Sequence, residues 1–506
     1  MKNKFSISIL LAIFILNYSC AQDLKPLDQE DKNSIITNED NYEMELVFED
    51  ENIIWGIEFL DDNSILASVK SGSIYQYKNG VKTEIQGLPE IYFRGQGGLL
   101  DLAIHPDFKE NKWLYLSYSS EEVKGKGGNT TIARAKLIDN SLVDLEVLYK
   151  GSPNTKKGQH FGGRMVFDNK NYLYFSIGDR GNRNVNPQDI TIDGGKIYRI
   201  KDDGTIPTDN PFYKEENAKK AIYSYGHRNP QGIFKHPDTG EIWTNEHGPR
   251  GGDEINIIKK GKNYGWPKIT YGINYSGTTI TKDKSLPNME QPLYYWLPSI
   301  APSSFEFISS EIYPNWKGSL LAGALVFKYV ERLGLKDNKV ISRSKIGDKL
   351  GRPRDVKQGP DGYIYVSIEN KGVYKIVPSK KKKNSLKLSE NNNHSIGKEL
   401  YEDFCMRCHM TDGKGVKGAY PPLANADYLL NKRLESIKAI KYGLSGPIVV
   451  NGVDYNLNME KMGLDNQEIA EIMNYILNSW GNKTEKLVTE KEVDEVSENN
   501  ENIIKE

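Results

Sequence analysis

Three cysteines in 506 residues are too few for a disulfide framework. Net charge is missing too: 67 basic side chains stand against 68 acidic ones, so no bulk field points to nucleic acid. Beyond residue 20 no apolar run is long enough to form a transmembrane helix. The composition is not that of a helical bundle either, because 30 Tyr, 46 Gly and 22 Pro favour strands and turns. The length fits two domains, with room for a third.

Two of the three cysteines stand together, in Cys405-Met406-Arg407-Cys408-His409. Thiols at this spacing add to the two vinyl groups of a haem, and the adjacent imidazole falls on the iron as an axial ligand. A structural zinc site would need a second ligand pair, and a thioredoxin-type motif would need a βαβ setting. The sequence offers neither, so Cys405, Cys408 and His409 predict one covalent c-type haem.

The N-terminus reads as an export signal over 1–21. Lys2 and Lys4 precede the twelve-residue apolar stretch from Phe5 to Leu16, too short to span a bilayer comfortably and right for a signal core. Asn17-Tyr18-Ser19-Cys20 resembles a bacterial lipobox, with Cys20 as the lipid anchor, although Asn17 and Tyr18 are unusual there. Ordinary cleavage after Ser19-x-Ala21 stays open as the other reading. The lipoprotein is favoured, since Cys20 otherwise has no use. Export into the periplasm, or anchoring to the outer membrane of a Gram-negative-type cell, is the expectation, with a polar tether over 22–41.

Residues 42–378 repeat one theme: an apolar segment, a turn with Asp, Asn, Gly or Pro, then a short aromatic or β-branched strand. Instances run through Asp61-Asp62-Asn63, His105-Pro106-Asp107, Asp168-Asn169, His236-Pro237-Asp238 and Pro360-Asp361-Gly362. The long gap between the last two is filled by Phe305-Glu306-Phe307-Ile308 and Gly318-Ser319-Leu320-Leu321. Each is a β-hairpin signal. Six of them predict an all-β six-bladed propeller rather than a sandwich with long loops.

A charged linker over 379–394 leads to a small all-α domain over 395–482, with helices at Ile396–Phe404 and Asn466–Leu477. This suits a cytochrome c domain. The segment 483–506 holds eight acidic and four basic residues and reads as a disordered acidic tail. For the second axial ligand, Met459 and Met462 lie in the loop before the last helix, whereas Met473 sits on its apolar face and belongs to the core. The stretch Asn458-Met459-Glu460-Lys461-Met462-Gly463 resembles cytochrome c domains whose ligand Met begins a Met-Pro-x-Met-Gly turn, with Glu460 in place of Pro. Met459 is chosen, with Met462 as its rival.

The propeller's polar motifs are Gln96-Gly97-Gly98-Leu99-Leu100, Gly158-Gln159-His160-Phe161-Gly162-Gly163-Arg164, Gly178-Asp179-Arg180-Gly181, Gly226-His227-Arg228-Asn229-Pro230, Asn245-Glu246-His247-Gly248-Pro249 with Asp253-Glu254, and Gly351-Arg352-Pro353-Arg354-Asp355. Strand-end loops of this kind converge at one end of a propeller, and several arginines there suit a multiply anionic ligand. Single residues have plainer readings; His105, His236 and His227 could each cap a turn.

Taken in order, these motifs resemble the soluble PQQ-dependent aldose sugar dehydrogenases. The resemblance implies His160 as general base on the sugar's anomeric hydroxyl, Asp179 as its orienting partner, and Arg228 as stabiliser of negative charge on the reduced quinone. It implies PQQ binding by Gln96, Arg228, Asn229, Arg352 and Arg354, a Ca²⁺ at the Gly248 and Pro249 carbonyls, and a second Ca²⁺ at Glu254 and Tyr264. The family's PQQ-binding Lys is replaced here by Val326. Lys328, two residues on, would share its face if the strand continued.

The chain is thus expected to be a quinohaemoprotein that oxidises aldoses to lactones and passes electrons through haem to an external acceptor. The competing reading is a glycan- or protein-binding propeller beside an independent cytochrome. Sugar identity, acceptor and oligomeric state are not legible in the residues.

Overall fold

A computed structural model describes residues 36–38, 41–347, 350–379, 397–398, 400–459 and 464–498. The signal segment with Cys20, nearly all of the tether and the linker, and Met462 lie outside the described residues.

Six four-stranded antiparallel sheets follow one another along the chain, and the fifth is extended by Ile36–Asn38 of the expected tether, which pairs in parallel with Lys339–Ile346. Their innermost hairpins are Ile54–Phe59 with Ile65–Val69, Leu99–Ile104 with Trp113–Glu121, Met165–Phe167 with Tyr172–Ile177, Pro230–Lys235 with Ile242–Glu246, Pro302–Phe307 with Leu320–Ala324, and Pro353–Gln358 with Ile364–Ile368. These are the six hairpins that the sequence theme marks, and the fold is the expected six-bladed propeller. The ring closes when Tyr42–Phe48 supplies the outer strand of the last blade by pairing with Gly372–Pro378.

The repeated turn residues close these hairpins by hydrogen bonding. Asp62 Oδ1 accepts from the Ser64 amide at 3.0 Å, and Asp168 Oδ1 from the Tyr172 amide at 2.9 Å. In the two His-Pro-Asp units an imidazole does this instead: Nδ1 of His105 accepts from the Asp107 amide at 2.9 Å, and Nδ1 of His236 from the Asp238 amide at 3.3 Å. Those two histidines are turn caps. His227 is different, for its ring is fully buried between Ser224 and Glu246.

A buried charge cluster ties the blades together. Arg164 Nη1 donates to Asp101 at 2.7 Å and lies 3.1 Å from Asp355, while Asp355 also accepts from the Ile57 amide at 2.8 Å. Four blades thus share one ion-paired node, and removing one partner would leave an uncompensated buried charge.

The C-terminal domain packs the helices Arg433–Tyr442 and Asn466–Ile476 around the helical segment Tyr401–His409. Asp465 caps the second of these in a reciprocal capping box with Glu468. A short hairpin, Ile448–Val450 with Val453–Tyr455, adds strand to a domain expected to be all helical. The tail also departs from expectation: 483–498 is ordered, with a helix at Glu490–Glu495. Val488, Val493 and Val496 are buried in the domain's core, Arg433 forks onto Glu492, and Lys441 Nζ donates to the carbonyls of Val493 and Val496. Net acidity disguised a segment in which three valines join the domain's core.

Candidate functional site

In an antiparallel hairpin the entry to the first strand and the exit from the second lie at the same end. The polar motifs occupy just those positions, so the topology gathers them on one rim. Two cavities open there and share Tyr275 as a wall. One, of about 390 Å³, is lined by His160, Asp179, Arg228, Pro249 and Trp266 among others. Its neighbour, of about 310 Å³, is lined by Gln96, Arg352, Arg354, Val326 and Lys70.

His160 sits at a left-handed backbone position (φ 56°), between glycines that leave room for close approach. A Cβ on Gly178 would stand 2.5 Å from the His160 carbonyl oxygen. Gln96 Oε1 accepts from the His160 amide at 2.7 Å. The ring's Nδ1 meets Asp179 Oδ1 at 2.6 Å, and Asp179 in turn accepts from Trp266 Nε1 at 2.9 Å and from the Gly181 amide at 2.7 Å. Asp179 is therefore fixed from three sides and holds the tautomer in which Nδ1 carries the proton. Nε2 is left as the basic atom.

Burial, and then the Arg228 charge, push the His160 imidazole below its ordinary value, against the opposing effect of Asp179. Burial raises Asp179, but His160, Arg228 and Trp266 together outweigh it and hold the carboxyl below its usual range. The site thus pairs a neutral imidazole with an ionised carboxylate. Arg228 lies on the cavity wall, its Nη1 donating to the His247 carbonyl at 3.0 Å.

Trp266 and Arg180 carry parts of this arrangement that the sequence reading did not assign. Arg180 lies 3.3 Å from the Phe161 ring centroid and donates to the carbonyls of Gln159, Lys157 and Gly128, pinning the loop that bears His160. Burial pushes it down to about 9, still protonated at neutral pH. Its place in Gly178-Asp179-Arg180-Gly181 was the available signal; Trp266 had none.

The donor set suits a multiply anionic planar ligand such as PQQ. Arg352 and Arg354 both engage Glu369, so one carboxylate faces two guanidinium groups. Burial raises Glu369, but Arg354 and Arg352 hold it below its usual range. Asn229 Nδ2 is buried without a partner, and its Oδ1 accepts from the Gly162 amide at 3.2 Å. Lys328 does not fit its expected role. The strand ends at Ala324, the chain turns, and Lys328 stands exposed at φ 61°, away from the cavity walls. Lys70 is the lysine on that wall, its Nζ donating to the Gly95 carbonyl at 2.5 Å.

Among the described residues no group of three or more His, Cys, Asp or Glu side chains is arranged to hold a metal. Gly248, Glu254 and Tyr264 nevertheless border one small cavity with Glu246. Asn256 Nδ2 bridges Glu246 and Glu254 at 3.1 and 3.3 Å, while its Oδ1 is buried without a partner. Burial, then the Glu246 charge, push the Glu254 carboxyl well up. Oxygen donors beside two buried acids fit a hard cation by chemistry, though the Tyr264 hydroxyl is committed to the Ile257 carbonyl at 2.5 Å.

In the C-terminal domain Cys405 and Cys408 form no disulfide. Burial, and then Cys408, push the Cys405 thiol up to about 12, unlike a redox-active thiolate. His409 Nδ1 meets the Pro421 carbonyl at 2.8 Å, which leaves Nε2 for iron. An apolar cavity runs between His409 and Met459, walled by Cys405, Pro421, Leu444 and Ile448. The Met459 backbone is pinned in both directions to Leu444, at 2.8 and 2.9 Å. Met473 is fully buried in the core, as expected. These residues fit a haem held between His409 and Met459.

Residues 51–375 match the family described as Glucose / Sorbosone dehydrogenase, and residues 395–480 match Cytochrome c. The chain is 43% identical over 320 residues to Aldose sugar dehydrogenase YliI of Escherichia coli (strain K12), covering 62% of this chain and 86% of that protein. The solved apo form of the soluble aldose sugar dehydrogenase from Escherichia coli is 38% identical with a TM-score of 0.63, covering 67% of this chain and all of that one (100%). A PQQ-bound aldose sugar dehydrogenase from Streptomyces coelicolor is 25% identical with a TM-score of 0.56, covering 67% and 98%. The propeller and the domain that follows it thus agree with two separate families, and the chain belongs to the glucose/sorbosone dehydrogenase family of oxidoreductases, with a cytochrome c domain joined behind it.

Proposed function

We propose that this chain oxidises the anomeric carbon of aldose sugars to lactones and delivers the electrons, one at a time, to its own c-type haem and then to an external acceptor. The observation that carries this reading is the His160–Asp179 pair at 2.6 Å, on a rim shared with Arg228, Arg352 and Arg354. PQQ, when bound, supplies a two-electron acceptor for the hydride that leaves the anomeric carbon. His160 Nε2 takes the proton from the anomeric hydroxyl, and Asp179 stabilises the imidazolium that results. Arg228 places a fixed positive charge where negative charge develops. Gln96, Asn229, Arg352 and Arg354 hold the cofactor's carboxylates and ring edge, with Lys70 as the lysine in the cavity that Val326 also lines. Ca²⁺ at Gly248 and Pro249, and at Glu254, belongs to the same proposal.

The proposal also places the protein outside the cytoplasm, anchored through Cys20, with 22–41 and 379–394 as tether and linker. Reconstitution with PQQ and Ca²⁺, followed by aldose addition, should reduce the haem within one chain. Sugar oxidation detectable with neither haem nor dye would favour a non-catalytic propeller instead.

A prediction on the haem follows from Cys408, one of the two thiols at the motif. Cys408→Ala leaves at most one thioether, so purified protein should carry far less haem, with only the fraction still bonded through Cys405 resisting acid acetone. Wild-type haem should resist that extraction. Extractable wild-type haem would overturn covalent attachment.

A further inference from the structure

The cytochrome domain does not merely follow the propeller; it is seated on the rim that walls the cavities. Three separate loops show the same arrangement, with one residue on a cavity and its chain neighbour on the cytochrome. Pro249 lines the larger cavity, and Arg250 beside it donates through Nη2 to the Cys408 carbonyl at 2.9 Å. Asn274 and Tyr275 line the same cavity, and Ile273 beside them packs with Ala419 and Tyr420. Leu325 and Val326 line the smaller cavity, and the ring of Phe327 stacks on Phe404, the residue before Cys405, at 6.2 Å between centroids.

The contact reaches the haem-attachment segment itself. Leu297 and Pro298 of the propeller share with Cys405, Cys408, His409 and Met459 the walls of a second apolar cavity in the cytochrome domain. Arg250 is almost fully buried, its guanidinium carbon 4.3 Å from the Tyr420 ring centroid, and its backbone pairs with Ile273 at 3.0 and 3.1 Å. An arginine so fixed joins the cavity loop and the haem motif through one side chain.

We propose that Arg250 is a positioning residue for electron transfer, clamping the Cys408 segment against the cavity rim so that electrons leave the propeller at this face and enter this chain's own cytochrome domain. The inference rests on the sugar-oxidising reading above and adds the route. Oxidation of one sugar releases two electrons and two protons, and a single haem takes one electron at a time. Two successive ferric-to-ferrous reductions, each followed by reoxidation by an external one-electron acceptor, complete the turnover, and the two protons pass to solvent.

The test uses the full chain carrying haem and PQQ, as wild type, Arg250→Ala, Arg250→Lys and, on the other side of the contact, Tyr420→Leu. Stopped-flow absorbance after aldose addition reads haem reduction, a small redox dye reads sugar oxidation without the haem, and small-angle scattering reads domain separation. Losing the charge-assisted bond should lower the docked population, and with it the rate of haem reduction, by about tenfold or more in Arg250→Ala. Tyr420→Leu should act in the same direction, Arg250→Lys should recover part of the rate, and dye-linked oxidation should be unchanged in all three.

Haem reduction at the wild-type rate in Arg250→Ala overturns the proposal, whatever the scattering shows. Wild-type haem that stays oxidised while the dye is reduced overturns it too, because the relay itself is then absent. If the wild type reduces neither, the sugar-oxidising reading has failed instead. Scattering then decides the clamp alone: a wider envelope for Arg250→Ala supports it and an unchanged one overturns it.

Discussion

Replacing His160 by alanine should lower sugar oxidation by about 10²–10⁴-fold, the contribution of a positioned general base, while PQQ still binds. The ring is the group aimed at the cavity, and its Nδ1 is committed to Asp179 at 2.6 Å. The residues expected to hold the cofactor's carboxylates, Arg352 and Arg354, belong to another blade and the adjoining cavity, so they survive the substitution. The measurement is kcat/KM with a small redox dye, beside PQQ retention by absorbance. Turnover close to wild type would remove His160 from the mechanism and leave the propeller without its base.

The pH profile tests the same assignment independently. Burial and Arg228 push His160 below its ordinary value of 6.5. The basic form is lost only when pH falls through that lowered value, so the acid limb of kcat/KM should lie below about 6.5. Asp179→Asn removes the influence that raises His160, so the limb should move further down while the rate also falls for want of the correct tautomer. A limb that moves upward would mean that another group governs it.

What the sequence displayed and what it hid divide along physical lines. The inner hairpins were legible because short apolar stretches such as Ile65–Val69 flank turns closed by Asp, Asn or His side chains, as at Asp62 and His236. Outer strands such as Val81–Ile85 and Ser141–Lys150 are mostly exposed, with apolar residues such as Val81, Val143 and Val147 left in the open, and pattern alone gave them no boundary. The His160–Asp179 pair was accessible through ordered motifs. Trp266 was not, since its bond to Asp179 spans 87 residues and depends on how the blades are placed. Lys328 was misplaced because strand alternation was extended past Ala324, where the chain turns. The tail was misjudged because charge averages over a segment, whereas burial is decided residue by residue at Val488, Val493 and Val496.

Met459→Ala should abolish the weak near-infrared sulfur-to-iron band of the oxidised protein and lower the haem potential, because an electron-poor thioether favours ferrous iron. Met459 shares its apolar cavity with His409, and its backbone is held on both sides by Leu444. Its sulfur is therefore presented from a braced position rather than from a free loop. Glu460 stands where the related turn has Pro, and the backbone restraint beside it is the pairing of Met459 with Leu444. A ligand held in this way should not be exchanged readily for another methionine. Met462→Ala should leave the band in place, and the double variant should resemble Met459→Ala alone. The reverse result, with the band lost only in Met462→Ala, would move the ligand one turn along. Sugar oxidation read with dye should stay at the wild-type level in Met459→Ala, because Met459 lines neither of the propeller's two cavities. A parallel loss there would show that the haem ligand loop also shapes the sugar site.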